Sequence, residues 1–224
     1  MLYKLHSILA ILAIQLSLSG TVNADCDPFF DDNCEAESKT NQAESNNQTK
    51  YYPTGEVEGV AEFVNGNISK VTIYHPTGEL AGFTEFVNSE KLKQTYYHKT
   101  GEIKEAQEFV NGKLSKATHY HKTGEIEGII EFVNGEKSKE TFYYDTGEVQ
   151  AVNEYVDGKY SKRTFYYNIG KVEQVNEYVD GKVSKATHYN KTGEIKGIIE
   201  FVNGEKSKET WYSETGEVTS ISNL

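Results

Sequence analysis

The 224-residue chain carries 34 acidic against 23 basic residues, a net charge of −11. That balance excludes nucleic acid as a partner, because neutralising a phosphate backbone takes a basic surface. Tyrosine (16), phenylalanine (10) and glycine (19) are plentiful while methionine occurs once, which points to strands and turns.

Residues 1–24 read as a secretory signal. Lys4 and His6 stand before an apolar stretch from Ile8 to Leu18, and Val22-Asn23-Ala24 offers small residues for cleavage before Asp25. The apolar stretch is short for a bilayer span, so no transmembrane segment is expected after cleavage. Residues 25–50 read as an acidic, disordered leader. Cys26 and Cys34 are the only cysteines, and in an exported chain they are a candidate disulfide. Glu35 to Lys50 holds no aromatic residue and reads as a polar spacer.

From residue 51 to 224 the chain repeats itself. Thr-Gly-Glu begins at Thr54 and returns every 23 residues, at Thr77, Thr100, Thr123, Thr146, Thr192 and Thr215, with Ile169-Gly170-Lys171 as the degenerate copy. That gives seven full units and a partial last one. A fixed period of this length marks an array of small supersecondary units that bury their apolar surface by stacking. A second turn signal, Asn-Gly or Asp-Gly, recurs at Asn65, Asn111, Asn134, Asp157, Asp180 and Asn203, with Asn88-Ser89 in its place once. Such dipeptides accept the positive φ of a two-residue hairpin turn. The other turn, typified by His75-Pro76-Thr77-Gly78, suits a type I turn. The segments between turns are short and rich in β-branched residues. The expected fold is all-β: an elongated, single-layer antiparallel meander, a solenoid-like stack of hairpins.

The turns also predict a register. Pairing Phe63 with Ile68 and Tyr74 with Leu80 stacks successive units without stagger. Simple alternation then sorts the side chains into rows along the array. One face is expected to carry Tyr74, Tyr97, Tyr120, Tyr143, Tyr166, Tyr189 and Tyr212, with Thr72 and its equivalents opposite glycines such as Gly59. The same face would carry Lys70, Lys93, Lys116, Lys139, Lys162, Lys185 and Lys208, closed by an aromatic row beginning at Phe63. The other face would carry Glu62 and its equivalents opposite Ser69 and its equivalents.

Lys113 to Tyr143 and Lys182 to Tyr212 differ at only four positions, so a three-unit block has been duplicated. Interchangeable copies suit a stacking module better than a one-of-a-kind catalytic centre. The Glu-x-Glu pairs, such as Glu56/Glu58, imply no cleft, and no catalytic activity or cofactor is expected. His119 and His121 are the only histidine pair near enough to suggest a metal, and none is expected.

Each half-unit reads aromatic-x-x-Gly, as in Tyr52 to Gly55 and Phe63 to Gly66, with glycines alternately eleven and twelve residues apart. This resembles the variant form of the MORN repeat over about residues 51–224. The chain departs from the ordinary repeat in placing Ser-Lys where a Gly follows the second turn. The tyrosine-aspartate repeats of bacterial surface proteins share a similar Tyr-x-x-x-Gly-x-Ile element. The MORN resemblance implies a stack of hairpins and a role in protein or membrane-surface association.

The functional expectation is an exported, non-enzymatic repeat protein, secreted, periplasmic or at the cell surface, that serves as a protein–protein interaction or scaffold surface. The alternative is a carbohydrate or anionic-lipid binding module that uses the tyrosine and lysine rows as a trough.

Overall fold

The computed structural model describes residues 45–224. The expectations for the signal segment, for the leader up to residue 44 and for the Cys26–Cys34 disulfide lie outside the described residues.

Strands β1 (Ser45–Tyr51), β2 (Val57–Val64), β3 (Asn67–Tyr74), β4 (Leu80–Val87), β5 (Glu90–Tyr97), β6 (Ile103–Val110), β7 (Lys113–Tyr120) and β8 (Ile126–Val133) form the first half of the array. Strands β9 (Glu136–Tyr143), β10 (Val149–Val156), β11 (Lys159–Tyr166), β12 (Val172–Val179), β13 (Lys182–Tyr189), β14 (Ile195–Val202), β15 (Glu205–Tyr212) and β16 (Val218–Asn223) form the second. All sixteen pair antiparallel with their sequence neighbours in one open sheet. The expected single-layer meander is therefore the observed architecture.

Both turn types take the expected conformations. Asn65 (φ 52°) and Gly66 (φ 75°) make the tight turn between β2 and β3. At the other turn the Gly78 N–H donates to the His75 carbonyl at 2.8 Å and Gly78 sits at φ 92°. This bond, and one from the His75 N–H to the Glu79 carbonyl at 2.8 Å, recur in each unit.

The array begins earlier than expected. β1 lies inside the segment assigned to the spacer, with Thr49 opposite Val60 and Lys50 Nζ 2.8 Å from Glu58. The physical reason is phase. Thr49 and Tyr51 stand one 23-residue period before Thr72 and Tyr74, so this polar segment is a worn copy of the same strand.

The register is also corrected. Phe63 pairs with Ile68 and Tyr74 with Leu80 as expected, but each pairing slips by one residue just inside the turn. Glu62 then faces Lys70, Val60 faces Thr72, and Gly59 faces Ile73. A β-bulge places two residues against one and changes the phase of everything beyond it. In five units the bulge carries a serine whose hydroxyl donates to the carbonyl across from it, as Ser115 does to Glu108 at 2.9 Å and Ser138 to Glu131 at 3.0 Å. That bond occupies a carbonyl which the slip removes from the regular ladder. It gives a structural role to the serine that follows the second turn in these units.

One turn departs from the pattern. Ser89 adopts φ 65° where other units place glycine, a left-handed conformation that costs a residue with a Cβ about 1 kcal/mol or more. Ser89→Gly is expected to raise unfolding free energy by about 1 kcal/mol, measured by denaturant titration; no gain would mean the turn carries no strain.

Candidate functional site

The slip gives the sheet two unlike faces. On the first, threonine alternates with an aliphatic or aromatic residue along the array: Val60, Thr72, Phe83, Thr95, Ala106, Thr118, Ile129, Thr141 and onward to Thr210 and Ile221. From Thr95 onward these threonines are buried, and Thr72 is half-buried, although no second layer covers them among the described residues. Neighbours within the same face supply that burial. The tyrosines of the predicted row, Tyr74 to Tyr212, flank it, each opposite the first aliphatic residue of the next strand, as Tyr97 is opposite Ile103.

The seven lysines lie on this face, and their partners differ from expectation. Lys70 stands between Glu62 and Glu85, Lys93 between Glu85 and Glu108, and the alternation continues to Lys208. Lys139 Nζ is 3.4 Å from Glu131, Lys116 Nζ 3.6 Å from Glu108, Lys162 Nζ 3.6 Å from Glu154, and Lys185 Nζ 3.8 Å from Glu177. The glutamates were expected on the opposite face; the bulge brings them across. The row is thus a ladder of alternating sign, with no net positive charge to hold an anion. The Phe63 row moves the other way, onto the face opposite the lysines.

On the second face the residues vary from unit to unit. Its outer row reads Gly59, Ile73, Gly82, Tyr96, Glu105, His119, Gly128, Phe142, Ala151, Phe165, Gln174, His188, Gly197 and Trp211. Large rings on one strand therefore meet small residues on the next. A Cβ on Gly197 would fall 2.4 Å from the Trp211 ring, and one on Gly82 would fall 3.2 Å from that of Tyr96. The rings lie over the glycine backbone, a contact that any side chain at those positions would displace. This ring row was legible as an aromatic residue or histidine immediately before the predicted tyrosine, at 96, 119, 142, 165, 188 and 211, one period apart. The misplaced register hid it.

Mid-array the second face holds a polar cluster. Glu140 accepts from Lys137, from Asn153 at 3.1 Å and from the Tyr155 hydroxyl, while Arg163 Nε donates to Asn153 at 3.0 Å. Burial alone would raise the Glu140 carboxyl, but these three donors outweigh it and hold it below the usual carboxylate range. Burial, with the same carboxylate beside it, pushes the Tyr155 hydroxyl far up. Tyr160 stacks between Tyr155 and Tyr178, with ring centroids 4.8 and 5.6 Å away. The cluster's groups satisfy one another, so its chemistry is structural.

In the turns, the Tyr52, Tyr144 and Tyr167 hydroxyls donate to the Tyr74, Tyr166 and Tyr189 carbonyls of the next unit at 2.7–2.8 Å. His75, His98 and His121 occupy the same column, and their Nε2 atoms are buried without a hydrogen bond. Among the described residues no three His, Cys, Asp or Glu side chains gather as a metal site. Nor is any described helix long and apolar enough to cross a membrane, which says nothing of strands.

No family model and no curated protein sequence matches this chain. Some solved structures match it slightly. Accessory secretory protein 1, 2 and 3 of Streptococcus pneumoniae is 13% identical over 43% of this chain and 18% of that one, with a TM-score of 0.33. A mutant of S. aureus TarM is 14% identical over 44% and 20%, at 0.34. A porin-like protein from Bacteroides uniformis is 12% identical over 80% and 88%, at 0.18. The chain spans at most a fifth of the first two, and likenesses this slight do not bear on function.

Lys139→Glu would place three carboxylates on successive strands. It is expected to cost about 0.5 kcal/mol at low salt and less at high salt, read by denaturant titration; a salt-independent loss would rule out the ladder. His188 stacks on Trp211 with centroids 5.9 Å apart, and burial, then nearby Lys196, lowers its pKa. The unfolded state therefore binds the proton more readily, and this contribution to stability is present above about pH 6.5 and is lost as pH falls below it. Trp211 is the only tryptophan, so its fluorescence should report that titration, and His188→Asn should abolish the change.

Proposed function

We propose that this chain is an exported, non-enzymatic interaction scaffold of MORN-like repeats, and that the variable second face is its binding surface. The signal-like residues 1–24 support export to the periplasm, the medium or the cell surface. The repeat period, the glycine spacing and the hairpin stack support the MORN likeness.

The carrying observation is the division of labour between the faces. Threonine, lysine, glutamate and tyrosine recur almost without exception on one face, where they pair with each other and hold the strands together. The other face changes in size, charge and polarity from unit to unit on the same backbone. A repeat protein needs the first set to stack. The second set is free to be shaped by a partner, and a long, continuous surface suits another protein.

A second reading, a carbohydrate-binding module, is favoured by the ring row of the variable face. The lysine ladder argues against anionic lipid headgroups, because every lysine in it stands opposite a glutamate on a neighbouring strand.

The test is a crosslinking pull-down with the chain on native envelope and culture medium, read by mass spectrometry, beside a Tyr96→Asp/Phe142→Asp variant. One dominant partner that this variant loses and Lys139→Gln keeps would support the scaffold. A partner lost only with the lysine variant would return the site to the uniform face.

A further inference from the structure

One column of the variable face carries a ring on every second strand: Tyr96, His119, Phe142, Phe165, His188 and Trp211. The strands that bear successive rings are two strand spacings apart, about 9.6 Å, and at the end of the column His188 and Trp211 lean together, with ring centroids 5.9 Å apart. The ring of Trp211 lies over Gly197, that of Tyr96 over Gly82, and that of Phe142 over Gly128, where an added Cβ would stand 3.6 Å from it. Glycine leaves room for the ring on the neighbouring strand, and the part of each ring that its neighbours do not cover meets solvent. Phe142 is 38% exposed, and the other five are half-buried. Between the rings the column holds Glu105 and Gln174. Beside Phe142, with His119 and Glu127, lies a recess of about 240 Å³.

The spacing discriminates between occupants. An extended peptide advances about 3.3 Å per residue and alternates its side chains. Three residues would span one ring spacing, but the third points away from the sheet, so successive rings cannot grip equivalent side chains. A β-1,4-linked pyranose chain is extended too, and its disaccharide repeat is close to the length of one unit of this array. Every second sugar then meets a ring in the same orientation. Its axial C–H face packs on the ring, and its equatorial hydroxyls point sideways to carboxylates and amides. The flanking charges are of both signs, as with Glu127 and Lys196, so the column favours a neutral chain over a polyanion.

We propose that the ring column on the variable face binds an extended, neutral β-1,4-linked glycan, one disaccharide per repeat unit. The proposal rests on the reading of the variable face as the binding surface and names its ligand.

Trp211 makes the test direct. The full chain is titrated with chitohexaose, cellohexaose and maltohexaose, followed by Trp211 emission and by calorimetry. At least one β-1,4 hexaose is expected to shift the emission and bind at least tenfold tighter than its disaccharide, because a hexaose spans three rings. The α-linked maltohexaose, which coils, should bind at least tenfold more weakly. Phe165→Ala, with the fold checked by circular dichroism, should weaken the hexaose tenfold or more, and Lys139→Gln should leave it unchanged. No binding of either β-1,4 hexaose at millimolar concentration would overturn the proposal, as would affinity indifferent to Phe165→Ala. If the glycans fail while Tyr96→Asp/Phe142→Asp loses a protein in the pull-down, the glycan is wrong and the variable face stands. If neither assay responds to ring substitutions, both readings fall.

Discussion

Each strand pair in this sheet slips by one residue just inside its turn, and the chemistry of both faces depends on that slip. A β-sheet has a side-chain period of two, so a single extra residue exchanges every position beyond it between faces. Without the bulge, Thr72 would meet Gly59 and Lys70 would share a face with the Phe63 row. With it, Thr72 meets Val60 and Phe83, and Lys70 meets Glu62 and Glu85. The irregularity is present at every pairing, so it is part of the repeat.

A second constraint is that no opposing layer is present among the described residues. Sheets ordinarily bury one face against helices or another sheet. This one obtains burial laterally, between neighbours on the same face. Threonine suits that setting: its methyl group packs against the flanking aliphatics and its branched Cβ fits the pleat. On the second face, glycine allows a large ring on one strand to lie across the next. Ala61 is 1% exposed in a sheet with nothing stacked upon it, because its row neighbours enclose it. Charged residues lie beyond these rows, where lysine and glutamate stay half in water and pair across strands.

These economies leave the two faces with different freedoms. The columns of the first face are mutually dependent, since Lys70 and its equivalents up to Lys185 stand between two glutamates, and each threonine between two apolar residues, on adjacent strands. The second face contributes many of its rings and polar groups singly; the Glu140–Tyr155–Asn153–Arg163 cluster, the Tyr155–Tyr160–Tyr178 row and the His188–Trp211 pair tie neighbouring strands together. A surface with that latitude can be shaped for a ligand without loss of the stack. The duplicated block bears this out in miniature: of its four differences, Phe142 against Trp211 and Glu127 against Lys196 fall on the variable face.

Much of the fold was legible because it is written in turns. Asn-Gly and Thr-Gly-Glu have local conformational requirements, and at a fixed spacing they admit little except consecutive antiparallel hairpins. The beginning of the array was harder to read, since Ser45–Tyr51 lost its composition but kept Thr49 and Tyr51 in phase. The ring column was present as a periodic signal too, in the aromatic residue or histidine immediately before each periodic tyrosine, but assigning it to a surface required the register. By itself the sequence determined the strand order, the turn types and the equivalence of the units, all of which are short-range properties of the chain. The tertiary structure alone decided which columns share a face, and so that the lysines are paired and the rings lie over glycine. A bulge is a backbone event of one residue that leaves the side-chain pattern unchanged until neighbouring strands are laid together.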